Sequence, residues 1–136
     1  MGFDVYGPTR HVRASNVDDG CQPAYDVPSL PEALGLSCPH LEKLNRRFYD
    51  STTLRFLAGE VHGLRDELLR LQQAYRERRE AELIREHRVR AQDGAVRAAI
   101  LDQLLARDPT FSALEEFRLL CAEAISARTD VRCEGD

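Results

Sequence analysis

The sequence predicts an all-α fold: a bundle of four or five helices, with one long central helix and an irregular N-terminal arm. Three observations predict it. Leu54, Leu57, Val61, Leu64, Leu68, Leu71 and Tyr75 recur at steps of three and four, which places seven apolar side chains on one stripe of a helix. No proline stands between Pro39 and Pro109, so nothing in that span forces a break. Apolar residues at helical spacing return after Gly94 and again after Pro109.

Residues 1–28 read as an irregular arm or short hairpin. Phe3, Val5 and Tyr6 suit a short strand stopped by Gly7-Pro8, and His11–Ala14 suits a return strand. Asn16, Asp18, Asp19, Gly20, Pro23 and Pro28 supply turn chemistry. Ser29-Leu30-Pro31-Glu32 reads as a capping box, with Gly35 closing a single helical turn. Ser37 reads as a second N-cap with Pro39 in the first turn, and Leu41, Leu44 and Phe48 form a helix face that ends near Asp50.

The ladder helix is expected to start at Ser51 or Thr52 and run to about Ala91, roughly 60 Å at 1.5 Å per residue. A compact domain of this size is narrower than that, so the helix must bend, break or project. Gly59 and Gly63 flank Val61 and read as tolerated glycines or as room for another backbone. Beyond Tyr75 the apolar stripe ends. Arg76, Arg78, Arg79, Arg85, Arg88 and Arg90 interleave with Glu77, Glu80, Glu82 and Glu86, a pattern of i,i+4 pairs on a solvated helix. Asp93-Gly94 marks a break. A fourth helix uses Val96, Ile100, Leu101, Leu104 and Leu105. Asp108 and Pro109 are the N-cap and first residue of a fifth, whose wide apolar face holds Phe111, Leu114, Phe117, Leu120, Cys121, Ala124 and Ile125. The helical domain is thus 29–127, and 128–136 reads as a frayed acidic tail.

The chain has 136 residues and a net charge of −4, so bulk charge does not draw it to nucleic acid. Residues 51–92 carry 9 basic and 7 acidic groups, while both flanks are acidic. Of the 19 basic residues only Lys43 is a lysine, a bias that fits a GC-rich genome better than phosphate recognition. No apolar run approaches the roughly 18 residues of a membrane span, and no secretory signal pattern opens the chain. A cytoplasmic location follows as an expectation, with Cys21, Cys38, Cys121 and Cys133 as thiols.

Motifs for chemistry are sparse. Cys38-Pro39-His40, with Cys21 upstream and His11 as a fourth group, has neither the C-x-x-C nor the H-x3-H spacing that zinc favours, so no metal is expected. Cys38 with His62 or His87 lacks any mark of an activated nucleophile, and Cys121 reads as core. Neither a Walker pattern nor a Gly-x-Gly-x-x-Gly loop appears, and no cofactor is expected. Asp18-Asp19, Asp66-Glu67 and Glu115-Glu116 are adjacent along the chain, and helical neighbours diverge by about 100°.

The pattern therefore points to a non-enzymatic protein that binds another protein, a protein complex or a second copy of itself through helical surface. Arg76, Arg79, Arg85, Arg88 and Arg90 are the expected partner-binding residues, since guanidinium groups are favoured at interface hot spots. Leu54, Leu57, Val61, Leu64, Leu68, Leu71 and Tyr75 are the expected helix-packing residues, within a bundle in preference to a coiled-coil homodimer. A nucleic-acid-binding or regulatory role for the Arg-rich helix is the alternative, disfavoured because interleaved glutamates blunt its field. A small self-associating coiled-coil protein is the second alternative.

The opening Met1-Gly2-Phe3-Asp4-Val5-Tyr6-Gly7 resembles the start of small proteins from phages and prophages. That resemblance implies an accessory factor of a mobile element, one that binds and inhibits a host defence complex as anti-CRISPR proteins do. It implies nothing about individual site residues.

Overall fold

The computed structural model describes residues 2–16, 25–47, 53–86 and 94–135. Strands and helices share the fold, which corrects the all-α expectation. The strands are β1 (Gly2–Tyr6), β2 (His11–Asn16), β3 (Thr53–Phe56) and β4 (Val131–Gly135). The helices are α1 (Leu30–Leu34), α2 (Pro39–Arg47), α3 (Ala58–Arg85), α4 (Gly94–Leu105) and α5 (Pro109–Ala127), with a 3₁₀ turn at Val27–Ser29 before α1. The four strands form one antiparallel sheet in the order β2-β1-β4-β3.

Strand formation follows a period of two. Phe3, Val5, Val12, Ala14, Phe56, Val131 and Cys133 are buried, while Tyr6, His11, Arg55 and Arg132 alternate with them on the other face. Gly7 N–H donates to the Arg10 carbonyl at 2.8 Å and closes the β1–β2 turn. A Cβ on Gly7 would lie 2.8 Å from Leu120 Cγ, so glycine lets that turn settle on α5. A register shift between Phe3 and Asp4 marks a bulge.

Two corrections concern the expected long helix and the tail. Leu54 lies in β3, where Leu54 and Phe56 turn inward and Thr53 and Arg55 outward. Leu57 is the extended residue that precedes α3 and is 57% exposed. Neither belongs to the ladder helix: Leu54 packs against the shared core from the sheet, Leu57 does not, and their steps of three and four match the ladder by coincidence. The expected tail is the strand between β1 and β3: Val131 and Cys133 supply its inward side chains. Two apolar residues at period two are enough for a strand that is zipped on both edges, yet they leave the composition polar.

The 28 residues of α3 span about 42 Å. Val61, Leu64, Leu68 and Leu71 are fully buried and Tyr75 partly so, all within one core shared with Leu114, Phe117, Leu120 and Cys121 of α5 and with the inner sheet face. Each buried aliphatic side chain contributes roughly 1.5–3 kcal/mol. The ladder thus packs on a helix and a sheet of its own chain. A second, smaller cluster joins Leu83 of α3 to Leu101 and Leu105 of α4, so the charged half of α3 is a seat for α4.

Helix ends follow their local chemistry. Asp108 Oδ1 accepts from Thr110 N at 2.9 Å and Phe111 N at 3.1 Å, with Pro109 at the first position of α5. Gly35 ends α1 at φ 68°. Ser29 makes no capping bond to α1; its hydroxyl donates to the Asp26 carbonyl, so the expected capping box is not formed. Ala58 N–H at the start of α3 donates to Asp130 Oδ1 at 2.9 Å, which ties that helix to the residue before β4.

The central place of β4 gives a direct test. A chain ending at Thr129 is expected to lose cooperative unfolding, because β1 and β3 then have no common neighbour. Circular dichroism through a thermal melt reads this as a broad, non-sigmoidal transition. A sharp melt at the parent temperature would show that β4 is dispensable.

Candidate functional site

The helices pack on one face of the sheet, and the side chains of the other face are half-exposed or exposed. One row crosses all four strands through register partners: His11 (β2), Tyr6 (β1), Arg132 (β4) and Arg55 (β3). Its members are about 4.8 Å apart from strand to strand. The His11 and Tyr6 rings stack with centroids 4.6 Å apart and planes within 3°. The Arg132 guanidinium lies 4.9 Å from the centre of the Tyr6 ring. Because β2 and β4 flank β1 on opposite sides, these two neighbours occupy opposite faces of Tyr6.

The adjacent row carries the acids. Asp4 Oδ1 meets His11 Nε2 at 3.0 Å, and Asp4 Oδ2 accepts from Arg13 Nη1 at 3.0 Å. Glu134, the register partner of Asp4, lies 3.2 Å from Arg132 Nε. Arg55 is 60% exposed and 3.7 Å from Asp130. Tyr6 is thus held between an imidazole and a guanidinium, with its hydroxyl edge away from the backbone. A side chain fixed in this way loses little rotamer freedom when a partner covers it.

The second site of interest is buried. Glu67 of α3 is 3% exposed. Its carboxylate accepts the backbone N–H of His40 (3.0 Å) and of Leu41 (3.1 Å) and also contacts His40 Nδ1. Two free donors of the first turn of α2 and a ring nitrogen therefore share one carboxylate. Room for the ring comes from Gly63, where a Cβ would lie 2.5 Å from His40 Cε1, and Phe56 stands 5.9 Å away, centroid to centroid. This arrangement docks α2 onto α3. Gly59, by contrast, faces open space.

The arginines singled out in the sequence are placed unequally. Arg76 pairs with Asp102 of α4 at 2.5 Å. Arg79 pairs with Glu82 at 2.6 Å and lies 3.5 Å from Asp108, whose Oδ2 also accepts from the Tyr75 hydroxyl. The Arg79 hydrogen bond holds Glu82 below the usual carboxylate range. Arg85 is exposed, and Arg88 and Arg90 lie outside the described residues. Two of the three described arginines therefore work within the fold.

The remaining candidates do not converge. Cys38, Cys121 and Cys133 are buried free thiols. Burial raises the Cys38 thiol, with the Glu67 charge adding to it, pushes Cys121 up to about 12 and carries Cys133 higher still. His62 is exposed on α3, and Cys21, His87 and Asp18-Asp19 lie outside the described residues. Among the described residues, no three His, Cys, Asp or Glu side chains gather as a metal site. Glu115 bonds Gln72 and Arg118, whereas Glu116 bonds Arg10 of the β1–β2 turn. No described helix is long and apolar enough to cross a membrane.

Comparison of the chain with protein-family models, with curated proteins and with solved structures finds no match in any of the three. The hairpin expected at residues 1–28 holds Tyr6 and His11, but Arg55 and Arg132 are far from them along the chain and fell in an expected helix and an expected tail, so the row could not be assembled. The alternation of Val131 and Cys133 with Arg132 and Glu134 was the one signal that could have exposed it.

Two expectations follow. Glu67→Ala leaves two backbone donors buried and should cost about 3 kcal/mol in urea unfolding. Gly63→Ala should cost about 1–3 kcal/mol by crowding the His40 ring, most of it recovered when His40→Ala is added. Additive losses in that pair would deny the crowding. In a Cys21→Ser background, a thiol reagent at pH 8 should modify none of the other three cysteines in the native protein and all three in urea. Rapid native labelling of Cys121 would contradict its burial.

Proposed function

We propose that this chain is a non-enzymatic interaction protein that grips a protein partner through the open face of its sheet. The observation that carries the reading is Tyr6, held between the His11 ring and the Arg132 guanidinium on a face with no helix against it among the described residues. Tyrosine and arginine are the side chains most favoured at interface hot spots, and here both are already ordered. This moves the contact surface away from α3, where Arg76 and Arg79 are committed to Asp102, Glu82 and Asp108.

Protein suits this face better than single-stranded nucleic acid. Base stacking needs a free ring face, and both faces of Tyr6 are taken. The role of a mobile-element factor that inhibits a host complex belongs to the same proposal and rests on residues 1–7. In the fold those residues are largely β1: Phe3 and Val5 serve the core, and Asp4 and Tyr6 face outward.

The test compares two surfaces. Tagged wild type, Arg55→Glu/Arg132→Glu and Arg85→Glu are each used to capture partners from cells of the chain's own host. Wild type and Arg85→Glu should retain the same protein, and the sheet variant should lose it at least tenfold while melting within a few degrees of wild type. Loss confined to Arg85→Glu would return the contact to α3. Equal capture by all three would overturn the reading.

A further inference from the structure

The row on the open face has a feature that its own carboxylates leave unresolved. Arg55 and Arg132 are register partners on adjacent strands, so two like charges stand directly opposite each other. Such a pair is unfavourable in a sheet. Neither nearby acid belongs to the row. Glu134 lies two residues beyond Arg132, and Asp130 precedes β4 and spends its Oδ1 on the start of α3. Arg55 is 60% exposed and its contact with Asp130 is long, at 3.7 Å. At the far end His11 is also exposed, with Asp4 as its partner from the acidic row.

We propose that the row from Arg55 through Arg132 and Tyr6 to His11 receives an acidic, extended segment of the partner protein, with a carboxylate seated between Arg55 and Arg132. The proposal rests on the reading of the open face as the contact surface. A carboxylate placed between two guanidinium groups turns their repulsion into a pair of charge-assisted hydrogen bonds. Arg55 and Arg132 are one strand step of about 4.8 Å apart, so a single carboxylate sits between them, and the whole row of about 14 Å equals two steps of about 7 Å between same-side residues of an extended chain. Acidic residues at alternate positions thus meet the arginine end of the row and reach the His11 end without bending. Arg13, Arg55 and Arg132 are balanced in number by Asp4, Glu134 and Asp130, and the place where two cations adjoin is the Arg55–Arg132 pair, so the seat is local to it.

The test uses the full-length, isotope-labelled protein with three probes: a peptide of alternating Glu and Gly, the same peptide with Gln for Glu, and a ten-residue oligothymidylate. The Glu peptide should shift the amide and guanidinium resonances of Arg55 and Arg132 and the amides of Tyr6 and His11, in a saturable and salt-sensitive way. The Gln peptide should not. Arg55→Gln/Arg132→Gln should weaken the Glu peptide at least tenfold while the melting temperature stays level or rises, since a repulsion is removed. Absence of saturable shifts, shifts that map to α3, or equal or tighter binding of the oligonucleotide at the row would overturn the proposal. If the sheet variant loses its captured partner but the Glu peptide does not bind, the acidic segment alone is refuted. If neither effect appears, the contact surface falls with it.

Discussion

A β-strand sends successive side chains to opposite faces, and only one face of this sheet can be served by the two long helices the chain provides. Everything else in the structure follows from that constraint. Phe3, Val5, Val12, Phe56, Val131 and Cys133 go under α3 and α5. Their sequence neighbours Asp4, Tyr6, His11, Arg55, Arg132 and Glu134 then have nowhere to go but outward. A one-residue slip of β4 would bury Arg132 and Glu134 and expose Val131 and Cys133. Register is therefore fixed by the core, and the order of the outer row is inherited from it. The row is a by-product of packing in its placement and a matter of residue choice in its chemistry.

The helical layer is tied to the sheet by polar contacts at points where apolar packing leaves the angle free. Glu67 holds the first turn of α2 against the middle of α3, and Asp130 holds the start of α3 against the entry to β4. Arg10 on the β1–β2 turn reaches both Glu116 and Glu123 on α5. The Arg10 hydrogen bonds depress the Glu123 carboxyl below its ordinary range, so this clamp is in force at neutral pH and is released as pH falls through that lowered value. Of the three, Glu67 bears the greatest consequence. Its charge is out of water, so removing it strands its donors in the interior, whereas the exposed Arg10 clamp can exchange with solvent at little cost.

The sequence carries the helical layer clearly and the sheet poorly. Val61, Leu64, Leu68, Leu71 and the Asp108-Pro109 start of α5 stand where the periodicity and capping rules put them. The helical spacing is blind to what lies opposite, however. An α-helix lying on a sheet and another helix shows the same steps of three and four as one in a bundle. Leu54 and Leu57 extend the ladder by chance, and the Thr53–Phe56 alternation beneath it is only four residues long. At Val131–Gly135 the two inward residues are outnumbered by polar ones, and a strand flanked on both sides draws its stability from ladder bonds that composition does not record. The arginines of α3 are a related case. Charge density marks solvated helix, and only the placement of Asp102 on α4 and of Asp108 at the start of α5 gives Arg76 and Arg79 partners from other elements.

The outer row carries side chains that solvation alone does not require. A face needed only for solubility is satisfied by alternating charges, each opposite its counterion, as Asp4 and Arg13 are. Tyr6 exposes an aromatic edge that solubility does not call for, and Arg55 opposite Arg132 works against the pairing of β3 with β4 at an edge of the sheet. β3 is short and joins the sheet along one side only, so it has little stability to spare for a repulsive pair. Under the proposed reading these local choices at an edge strand serve the contact with a partner, because a carboxylate between two facing guanidinium groups relieves their repulsion.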